Sequence, residues 1–252
     1  MAATGIVLAG GKGSRMQSDV PKQYMELLGK PLLYYSLKAF EESDAESVVL
    51  VTAEGDEEYC RKELVERFGF TKVIGIVAGG AERYESVWNG LKCLKEKSEG
   101  FGVSGEMSGE ITEKEAPGYV LIHDGARPLV TAELINRLIT ETEHYGACVA
   151  GMPVKDTIQM TDERGTITLT PKRDSLWSAQ TPQSFGFSMV YNAYERLIKE
   201  PEINVTDDAM VVGLYHDIPI QMVRGSYTNI KVTTPEDFVL AEAFLLQRNN
   251  RG

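Results

Sequence analysis

Short apolar runs alternate with segments of helical spacing along most of the first 152 residues. The apolar runs, several of them rich in β-branched residues, predict strands at 4–9, 47–51, 72–77, 119–123 and 147–152. The segments between them repeat apolar residues three or four positions apart and predict helices at 32–40, 57–68, 84–94 and 131–145. This alternation predicts an α/β fold, with a mostly parallel sheet and helices on both faces.

Residues 95–118 break the alternation, because they are rich in Gly, Ser, Glu and Lys and poor in large apolar side chains. Such a segment buries too little apolar surface to offset the entropy of ordering it. We expect a flexible surface insertion, whose simplest interpretation is a tolerated loop.

Residues 154–176 form a second break. Strand-like segments at 156–161 and 166–170 flank Asp162-Glu-Arg-Gly165, which predicts a β-hairpin. A hairpin that projects from a parallel sheet has free edges, so we expect a dimer contact there. The chain is then one domain over residues 1–252, with 154–176 as a β-arm.

The charge of the chain is negative overall but positive near the start. Among 252 residues, 37 are acidic and 26 basic, giving a formal net charge of −11. That balance disfavours a broad surface for nucleic acid or anionic lipid. Residues 1–22 are the exception, with Lys12, Arg15 and Lys22 against only Asp19. We expect an anionic ligand at this place.

Targeting signals and disulfides are not expected. No apolar run approaches the roughly 18 residues of a membrane span, and the first ten residues lack the basic start of a signal peptide. The three cysteines are widely spaced and form no CxxC motif, which disfavours a disulfide framework or zinc site. We expect a cytoplasmic protein with reduced thiols.

A glycine-rich run, Leu8-Ala-Gly-Gly-Lys-Gly-Ser-Arg-Met16, follows the first predicted strand. Glycines there let backbone N–H groups approach an anion closely. The run is no dinucleotide fingerprint, which needs glycine at Met16, and no P-loop, which needs Ser or Thr directly after Lys12. Its cations, joined by Lys22 of the following Pro21-Lys-Gln23, suit a triphosphate whose leaving oxygen gains charge. A glycine-rich turn with solvated lysines is the alternative.

The segment His123-Asp124-Gly-Ala-Arg-Pro128 lies at the carboxyl end of a predicted strand, where open α/β sheets bind ligands. The Asp124 carboxylate suits Mg²⁺ beside a triphosphate, and Arg127 suits an anion held bidentately. The alternative is that Asp124 caps the following turn. We interpret His123 as a packing residue.

Two further segments carry candidate residues. Asn229–Asp237 predicts a short strand with Lys231, followed by a helix that Thr234 caps. A lysine among β-branched residues needs an anionic partner or solvent. Thr206-Asp-Asp208 either caps a helix or contacts a ligand.

Eight segments closely resemble, in order, the 2-C-methyl-D-erythritol 4-phosphate cytidylyltransferase family of the non-mevalonate isoprenoid pathway. They are LAGGKGSRM, PKQY, GGAERYESV, HDGARP, PVKDT, SAQTPQSF, VTDDA and NIKVTTPED, within residues 6 to about 245. The resemblance implies a Rossmann-like nucleotidyltransferase three-layer sandwich with a protruding β-arm that forms a homodimer. It also implies the reaction of CTP with 2-C-methyl-D-erythritol 4-phosphate, with Mg²⁺, to 4-diphosphocytidyl-2-C-methyl-D-erythritol and pyrophosphate.

The resemblance also implies roles for individual residues. Arg15 and Lys22 would contact the CTP phosphates and the transition state, and Lys231 would assist beside the α-phosphate. Nucleotide-binding residues would be Ala9, Gly10, Gly11, Lys12, Gly13, Gly80, Ser86 and Asp124, with Ser86 and the Gly80 backbone at the cytosine and Asp124 at Mg²⁺. Methylerythritol phosphate would contact Arg127, Thr157, Arg173, Thr181, Thr206 and Thr233, the arm residues crossing to the partner subunit.

Some positions depart from the family pattern. The 95–118 insertion is longer than expected, and Ala81 stands where relatives often have an acid. Some relatives carry an aspartate near the positions of Tyr227 and Thr228, and this chain has none there. A second protein ligand for Mg²⁺ is therefore unsupported.

Three other functions stay open. A sister enzyme acting on ribitol 5-phosphate or another polyol phosphate shares several segments, but typically has serine where this chain has Gly125. A dinucleotide-dependent oxidoreductase would need an acid about 20 residues past the glycine loop, and the first strand-end acid, Glu54, comes too late. A non-catalytic nucleotide-binding regulator would bind CTP without releasing pyrophosphate.

Overall fold

The computed structural model describes residues 2–11, 20–98, 118–200 and 202–250. The strands in these ranges are β1 (Ala3–Ala9), β2 (Glu26–Leu27), β3 (Lys30–Pro31), β4 (Ser47–Thr52), β5 (Val73–Ala78), β6 (Tyr119–Asp124), β7 (Ala147–Pro153), β8 (Met160–Thr161), β9 (Ile167–Leu169), β10 (Trp177–Gly186) and β11 (Gln221–Arg224). The helices are α1 (Leu32–Glu41), α2 (Glu57–Cys60), α3 (Arg83–Ser98), α4 (Ala132–Tyr145), α5 (Phe187–Leu197), α6 (Asp208–Tyr215) and α7 (Pro235–Asn249). Helix α2 continues into a π-helical stretch, Arg61–Glu66, and short 3₁₀ turns cover Lys22–Tyr24 and Arg173–Ser175.

Seven of these strands form one sheet in the order β11-β7-β10-β6-β1-β4-β5. Only β10 runs antiparallel to its neighbours, β6 and β7, while the other pairs in the sheet are parallel. The predicted mostly parallel sheet is therefore confirmed. Its parallel strands bring their carboxyl ends to one edge, which is where such sheets bind ligands.

Helices cover both faces of the sheet, as predicted. Side chains of α1, α2 and α4 pack with Val7 and Leu50 on one face, and those of α3, α5 and α6 pack with Ile6 and Val49 on the other. Neighbouring residues of a strand point to opposite faces, so a strand buried on both sides reads as a continuous apolar run. This is why β1 and β4 were readable from the sequence.

Strand β10 was not predicted, although it lies in the middle of the sheet. Its sequence is polar and contains Pro182, which lacks the N–H that a central strand needs. The structure accommodates the proline at an irregularity in the pairing with β7, between Ala179 and Gln183. The sequence does not predict this strand, because a proline normally argues against a central strand.

The predicted hairpin is present with shorter strands, β8 and β9. The Asp162 carboxylate closes its turn by accepting the N–H groups of Arg164 and Thr166, at 3.0 and 2.8 Å. The arm protrudes with apolar side chains uncovered in the single chain: Met160 is 51% exposed and Ile167 59%.

Helix α3 continues to Ser98, four residues past its predicted end and into the segment predicted as an insertion. Residues 99–117 of that segment lie outside the described residues. The three cysteines are buried and unpaired. Within the part of the chain that is described, no helix has the length and apolar character needed to cross a membrane.

Candidate active site

A cleft opens at the carboxyl edge of the sheet, beside the ends of β1, β5 and β6. Backbone and side chains from the loop after each of these strands line it, together with Lys22 and Lys231 from more distant segments. The described residues predicted to bind the nucleotide or to act in catalysis all meet here: Ala9, Gly10, Gly11, Lys22, Gly80, Ser86, Asp124 and Lys231. Lys12, Gly13 and Arg15 lie outside the described residues.

Asp124 is the last residue of β6 and is almost fully buried. Its two carboxylate oxygens have different cationic partners: Nε of Arg83 lies 3.1 Å from Oδ1, and Nζ of Lys231 lies 2.8 Å from Oδ2. Burial alone would raise the pKa of Asp124, but the charges of Arg83 and Lys231 outweigh it and hold that pKa well below its usual range. The cleft therefore contains a permanently ionised carboxylate.

Arg83, at the start of α3, is a site residue that sequence reasoning missed. Its two terminal nitrogens each lie 2.8 Å from an oxygen of Asp208, a bidentate pair, while its Nε contacts Asp124. Asp208 is fully buried, and the Tyr194 hydroxyl donates to it as well, at 2.5 Å. Burial by itself would lower the pKa of Arg83, but the two carboxylates raise it well above its ordinary value.

The segment Thr206-Asp-Asp208 is expected from the sequence either to cap a helix or to contact a ligand. In the structure its three residues have different surroundings. Asp207 caps α6, because its side chain accepts the N–H of Met210 at 2.9 Å. Asp208 binds Arg83 instead of capping the helix. Thr206 is exposed and lines a separate cavity formed with residues 202–205 and the start of α3.

The two lysines of the cleft meet at the loop formed by residues 225–234: Lys231 belongs to it and Lys22 contacts it. Lys231 follows β11, but the predicted strand around it is wrong: in the described structure residues 225–234 include no strand. This loop packs against the turn after β6 through one backbone bond, from the N–H of Val232 to the carbonyl of Ala126 at 2.8 Å. A single bond does not make a ladder, so the alternating apolar pattern of the segment reflects packing of Val232 in the core. Nζ of Lys22 donates to the Val232 carbonyl at 3.2 Å.

Gly80 and Ser86 form a small polar group at the other end of the cleft. The Ser86 hydroxyl accepts the N–H of Gly80 at 3.1 Å and donates to the carbonyl of Glu82 at 3.2 Å. A Cβ at Gly80 would lie 2.3 Å from Cβ of Glu85, so the loop needs glycine here. A side chain at Gly10 would similarly press on the Thr52 carbonyl, at 2.9 Å.

His123 lies behind Asp124 and is fully buried, as the packing interpretation expects. Thr181 joins the two residues: its hydroxyl oxygen accepts the N–H of Asp124 at 3.0 Å and lies 3.0 Å from Nδ1 of His123. Burial lowers the pKa of His123 to about 4, so the ring is neutral at pH 7. A neutral ring that accepts from Thr181 at Nδ1 donates from Nε2 to the Arg127 carbonyl, at 3.3 Å.

The residues predicted to bind methylerythritol phosphate are not gathered in one place within the single chain. The Arg127 guanidinium donates to the Asn229 carbonyl at 2.8 Å, and the Thr233 hydroxyl donates to Asp237 at 2.8 Å at the start of α7. Thr157 and Arg173 are exposed on the arm. Thr181 lies next to Asp124, because its side-chain hydroxyl accepts the backbone N–H of Asp124.

The donor set of the cleft limits what metal it can hold. Within the described residues, no three His, Cys, Asp or Glu side chains are grouped in a way that could bind a metal ion. The ionised Asp124 carboxylate matches the usual Mg²⁺ site of nucleotide enzymes, where one or two carboxylates act together with substrate phosphates and water. It does not match a zinc or calcium site built from protein ligands alone.

A Rossmann-like sheet with Gly10 and Gly11 after its first strand, and with two lysines and the Asp124 carboxylate at its carboxyl edge, defines a nucleotide-binding α/β enzyme. The model of the 2-C-methyl-D-erythritol 4-phosphate cytidylyltransferase family matches residues 3–103 and 108–247. The chain belongs to this family. The match is interrupted only at 104–107, within the segment predicted as an insertion.

Relatives and solved structures agree with this assignment. Enzymes named 2-C-methyl-D-erythritol 4-phosphate cytidylyltransferase from Lachnoclostridium phytofermentans and Lachnospira eligens are 43% and 46% identical, the alignments covering 98% and 96% of this chain and 97% and 98% of theirs. The crystal structure of 4-diphosphocytidyl-2C-methyl-D-erythritol synthase from Anaerococcus prevotii is similar with a TM-score of 0.78 at 28% identity, over 97% of this chain and 98% of that one. The crystal structure of 2-C-methyl-D-erythritol 4-phosphate cytidylyltransferase from Thermus thermophilus is similar with a TM-score of 0.70 at 27% identity, over 97% of this chain and 98% of that one. The predicted fold class, family and enzyme class, a nucleotidyltransferase, are confirmed.

Proposed function

We propose that this protein transfers the cytidylyl group of CTP to 2-C-methyl-D-erythritol 4-phosphate in the cleft at the carboxyl edge of the sheet. The products are 4-diphosphocytidyl-2-C-methyl-D-erythritol and pyrophosphate, as in the non-mevalonate isoprenoid pathway. The observation that carries the proposal is the convergence of Lys22, Asp124 and Lys231, which are far apart in sequence, on one cleft of a family member.

The chemistry requires charge and alignment more than proton transfer. The nucleophile is a phosphate oxygen of the polyol substrate, which is largely ionised at pH 7 because a phosphate monoester has a second pKa of about 6. No general base is needed, which agrees with a His123 that is neutral and turned away from the cleft. The task of the protein is to hold two anions in line and to stabilise the charge that develops at the α-phosphate and on the leaving pyrophosphate.

The cations of the cleft would perform this task. Lys231 belongs to the loop after β11, and Lys22 contacts the Val232 carbonyl of that loop, so both ammonium groups line the cleft where a triphosphate would bind. Arg15, from the glycine-rich run, would join them at the CTP phosphates and in the transition state. The N–H groups of Gly10 and Gly11 lie where a phosphate would approach the end of β1, the arrangement by which glycine turns bind anions.

The base would lie at the opposite end of the cleft, against Gly80 and Ser86. Cytosine carries an amino donor and carbonyl acceptor, so small backbone and hydroxyl groups can read it. The Ser86 hydroxyl already joins the Gly80 N–H to the Glu82 carbonyl, which fixes the shape of this wall before the base arrives.

Mg²⁺ would be held by Asp124 together with phosphate oxygens of CTP, and the ion would supply neutralisation of the triphosphate charge. Asp124 fits this role because its carboxylate is ionised and faces the cleft. Its present partners, Arg83 and Lys231, keep the carboxylate in place when no ligand is bound.

The binding site for the polyol phosphate would be completed by residues of a second subunit. Thr157 and Arg173 stand on an arm whose apolar side chains are uncovered in the single chain, including Ile158, Met160 and Leu169. Pairing of two arms would bury these side chains and bring Thr157 and Arg173 toward the partner subunit, where they would act with Arg127, Thr181, Thr206 and Thr233. The active enzyme is then a homodimer.

A pyrophosphate-release assay across nucleotides and polyol phosphates tests the proposal. We expect turnover with CTP and 2-C-methyl-D-erythritol 4-phosphate, dependence on Mg²⁺, and little activity with the other common nucleoside triphosphates. Turnover with ribitol 5-phosphate alone would overturn the substrate assignment. CTP binding without pyrophosphate release from any polyol phosphate would favour a regulator.

A further inference from the structure

One side chain links the two buried carboxylates next to the cleft. Arg83 uses all three of its nitrogens: Nε contacts Asp124 at 3.1 Å, and the two terminal nitrogens contact Asp208 at 2.8 Å each. We propose that Arg83 is a positioning residue that fixes the orientation of the Asp124 carboxylate, and that Asp208 is the anchor which fixes Arg83. This inference rests on the function proposed above, since it concerns how Asp124 meets the nucleotide and its cation.

The anchor is rigid because of where it lies. Asp208 is fully buried at the first turn of α6, and the Tyr194 hydroxyl of α5 donates to the same carboxylate oxygen as one nitrogen of Arg83. A bidentate guanidinium–carboxylate pair has a defined plane, so the direction of the Nε–H bond is set once the pair forms. The N–H of Arg83 that reaches Asp124 is therefore placed by α5 and α6, on the far side of the cleft wall.

Asp124 is then held from two sides. Arg83 takes Oδ1 and Lys231 takes Oδ2, so the rotation of the carboxylate about its last torsion is fixed by two cations. Without Arg83, only Lys231 would hold the carboxylate. Lys231 extends from a loop and its side chain is 39% exposed, so this contact alone leaves the carboxylate free to turn with the lysine.

This arrangement explains why the position holds arginine. A lysine has one ammonium group on a flexible stem and cannot meet two carboxylates in three fixed directions. It would preserve a positive charge next to Asp208 while losing the fixed contact to Asp124. Arg83→Lys therefore separates the positioning role from the need for a buried positive charge.

The test compares Arg83→Lys and Asp208→Asn with the wild type and with Arg67→Gln, a matched arginine variant. Arg67 lies on an exposed helix surface away from the cleft, where it pairs with Glu63 at 3.2 Å and lies over the Phe68 ring at 5.5 Å. Steady-state pyrophosphate release gives kcat and KM, and titration calorimetry gives CTP affinity with and without Mg²⁺. We expect kcat to fall about tenfold or more in both site variants, the scale for a reacting group displaced by less than 1 Å. We also expect the gain in CTP affinity on adding Mg²⁺ to shrink several-fold, while Arg67→Gln keeps wild-type values.

A purely structural role predicts a different result. Arg83→Lys and Asp208→Asn would then lower the melting temperature, but the folded fraction at 25 °C would show the kcat and Mg²⁺ response of the wild type, and that outcome would overturn the inference. The double variant supplies a second check, because residues that act through one contact give non-additive effects. If the two losses multiply, Asp208 does not act through Arg83 and the inference is wrong.

The failure of the inference and the failure of the proposed function look different. Wild-type protein that releases no pyrophosphate with any polyol phosphate refutes the proposed function and removes the basis of the inference. An active wild type whose two site variants are equally active refutes the inference alone.

Discussion

Replacing His123 is expected to change how the stability of the protein depends on pH. His123 is fully buried, and burial, opposed only in part by the Asp124 carboxylate, lowers its pKa from 6.5 to about 4. The unfolded chain takes up a proton near pH 6.5, whereas the folded chain resists it down to about pH 4. The free energy of unfolding is therefore unaffected by protonation of His123 above pH 6.5 and decreases progressively as the pH falls from 6.5 toward 4.

The size of the effect follows from the two pKa values. At pH 5.0 most unfolded chains carry the His123 proton and few folded chains do, which costs about 2 kcal/mol of unfolding free energy relative to pH 7.5. The variant His123→Asn has no titratable side chain at position 123 and keeps all the other titratable groups. We therefore expect its unfolding free energy to fall by about 2 kcal/mol less than that of the wild type between pH 7.5 and 5.0.

Urea unfolding followed by tryptophan fluorescence at the two pH values measures this difference. The comparison between pH values within each protein removes the constant loss of the His123 contacts to Thr181 and Arg127. His144→Asn is the matched control, because His144 is exposed on α4, and it should follow the wild type. Equal losses of stability in wild type and His123→Asn would show that the folded protein takes up the proton as readily as the unfolded chain, and would refute the reasoning.

Three further outcomes test the site and the arm. Lys22→Ala and Arg15→Ala should each lower the kcat of pyrophosphate release at least about a hundredfold, the scale for a lost preorganised charge contact; wild-type rates in both would refute the assignment of the cations. Gly80→Ala should raise the KM for CTP about tenfold or more with little change in melting temperature, because a Cβ there would lie 2.3 Å from that of Glu85 and displace the wall next to the base; an unchanged KM would place the base elsewhere. Ile167→Asp on the exposed arm should convert a dimer to monomers in analytical ultracentrifugation and lower activity, whereas a dimer that persists would show that the arm is not the interface.

The residues of the cleft whose proximity the sequence predicts lie at the ends of buried parallel strands. The strand before Gly10 and the strand ending at Asp124 are both readable as continuous apolar runs. In a parallel sheet these ends must lie at the same edge. Two local patterns and one rule of topology are therefore enough to place Gly10 and Gly11 beside the carboxylate.

Arg83 could not be placed in the same way. Its partners Asp124 and Asp208 are 41 and 125 residues away in the sequence. Locally, Arg83 looks like one of several charged residues at the start of an exposed helix, and a charge at a helix end is usually solvated. The signal that existed was its position just after Gly79-Gly80 at the end of β5, together with two adjacent acids, Asp207 and Asp208, in a segment of otherwise unclear role.

The sequence fails to predict strand β10, and it predicts a strand around Lys231 where the structure has a loop. The polar, proline-containing sequence of β10 hides a central strand, because its pairing with β6 and β7 comes from contacts distant in sequence. The β-branched residues around Lys231 predict a strand, but Val232 packs into the core from a loop. Propensity is a weak guide where tertiary packing decides.

The cations of the cleft differ in how firmly they are held, and this difference bears on how a triphosphate enters. Lys231 is paired with Asp124 in the structure, so an incoming phosphate meets a lysine that already has an anionic partner. Binding would exchange one anion for another instead of desolvating a bare ammonium, which reduces the cost of bringing a charged ligand into the cleft. Arg83 is held by Asp208 and cannot take part in that exchange without leaving this fully buried carboxylate with no cationic partner among the described residues. In the proposed function Lys231 would therefore be the cation that moves to the ligand, and Arg83 the one that keeps Asp124 in position for it.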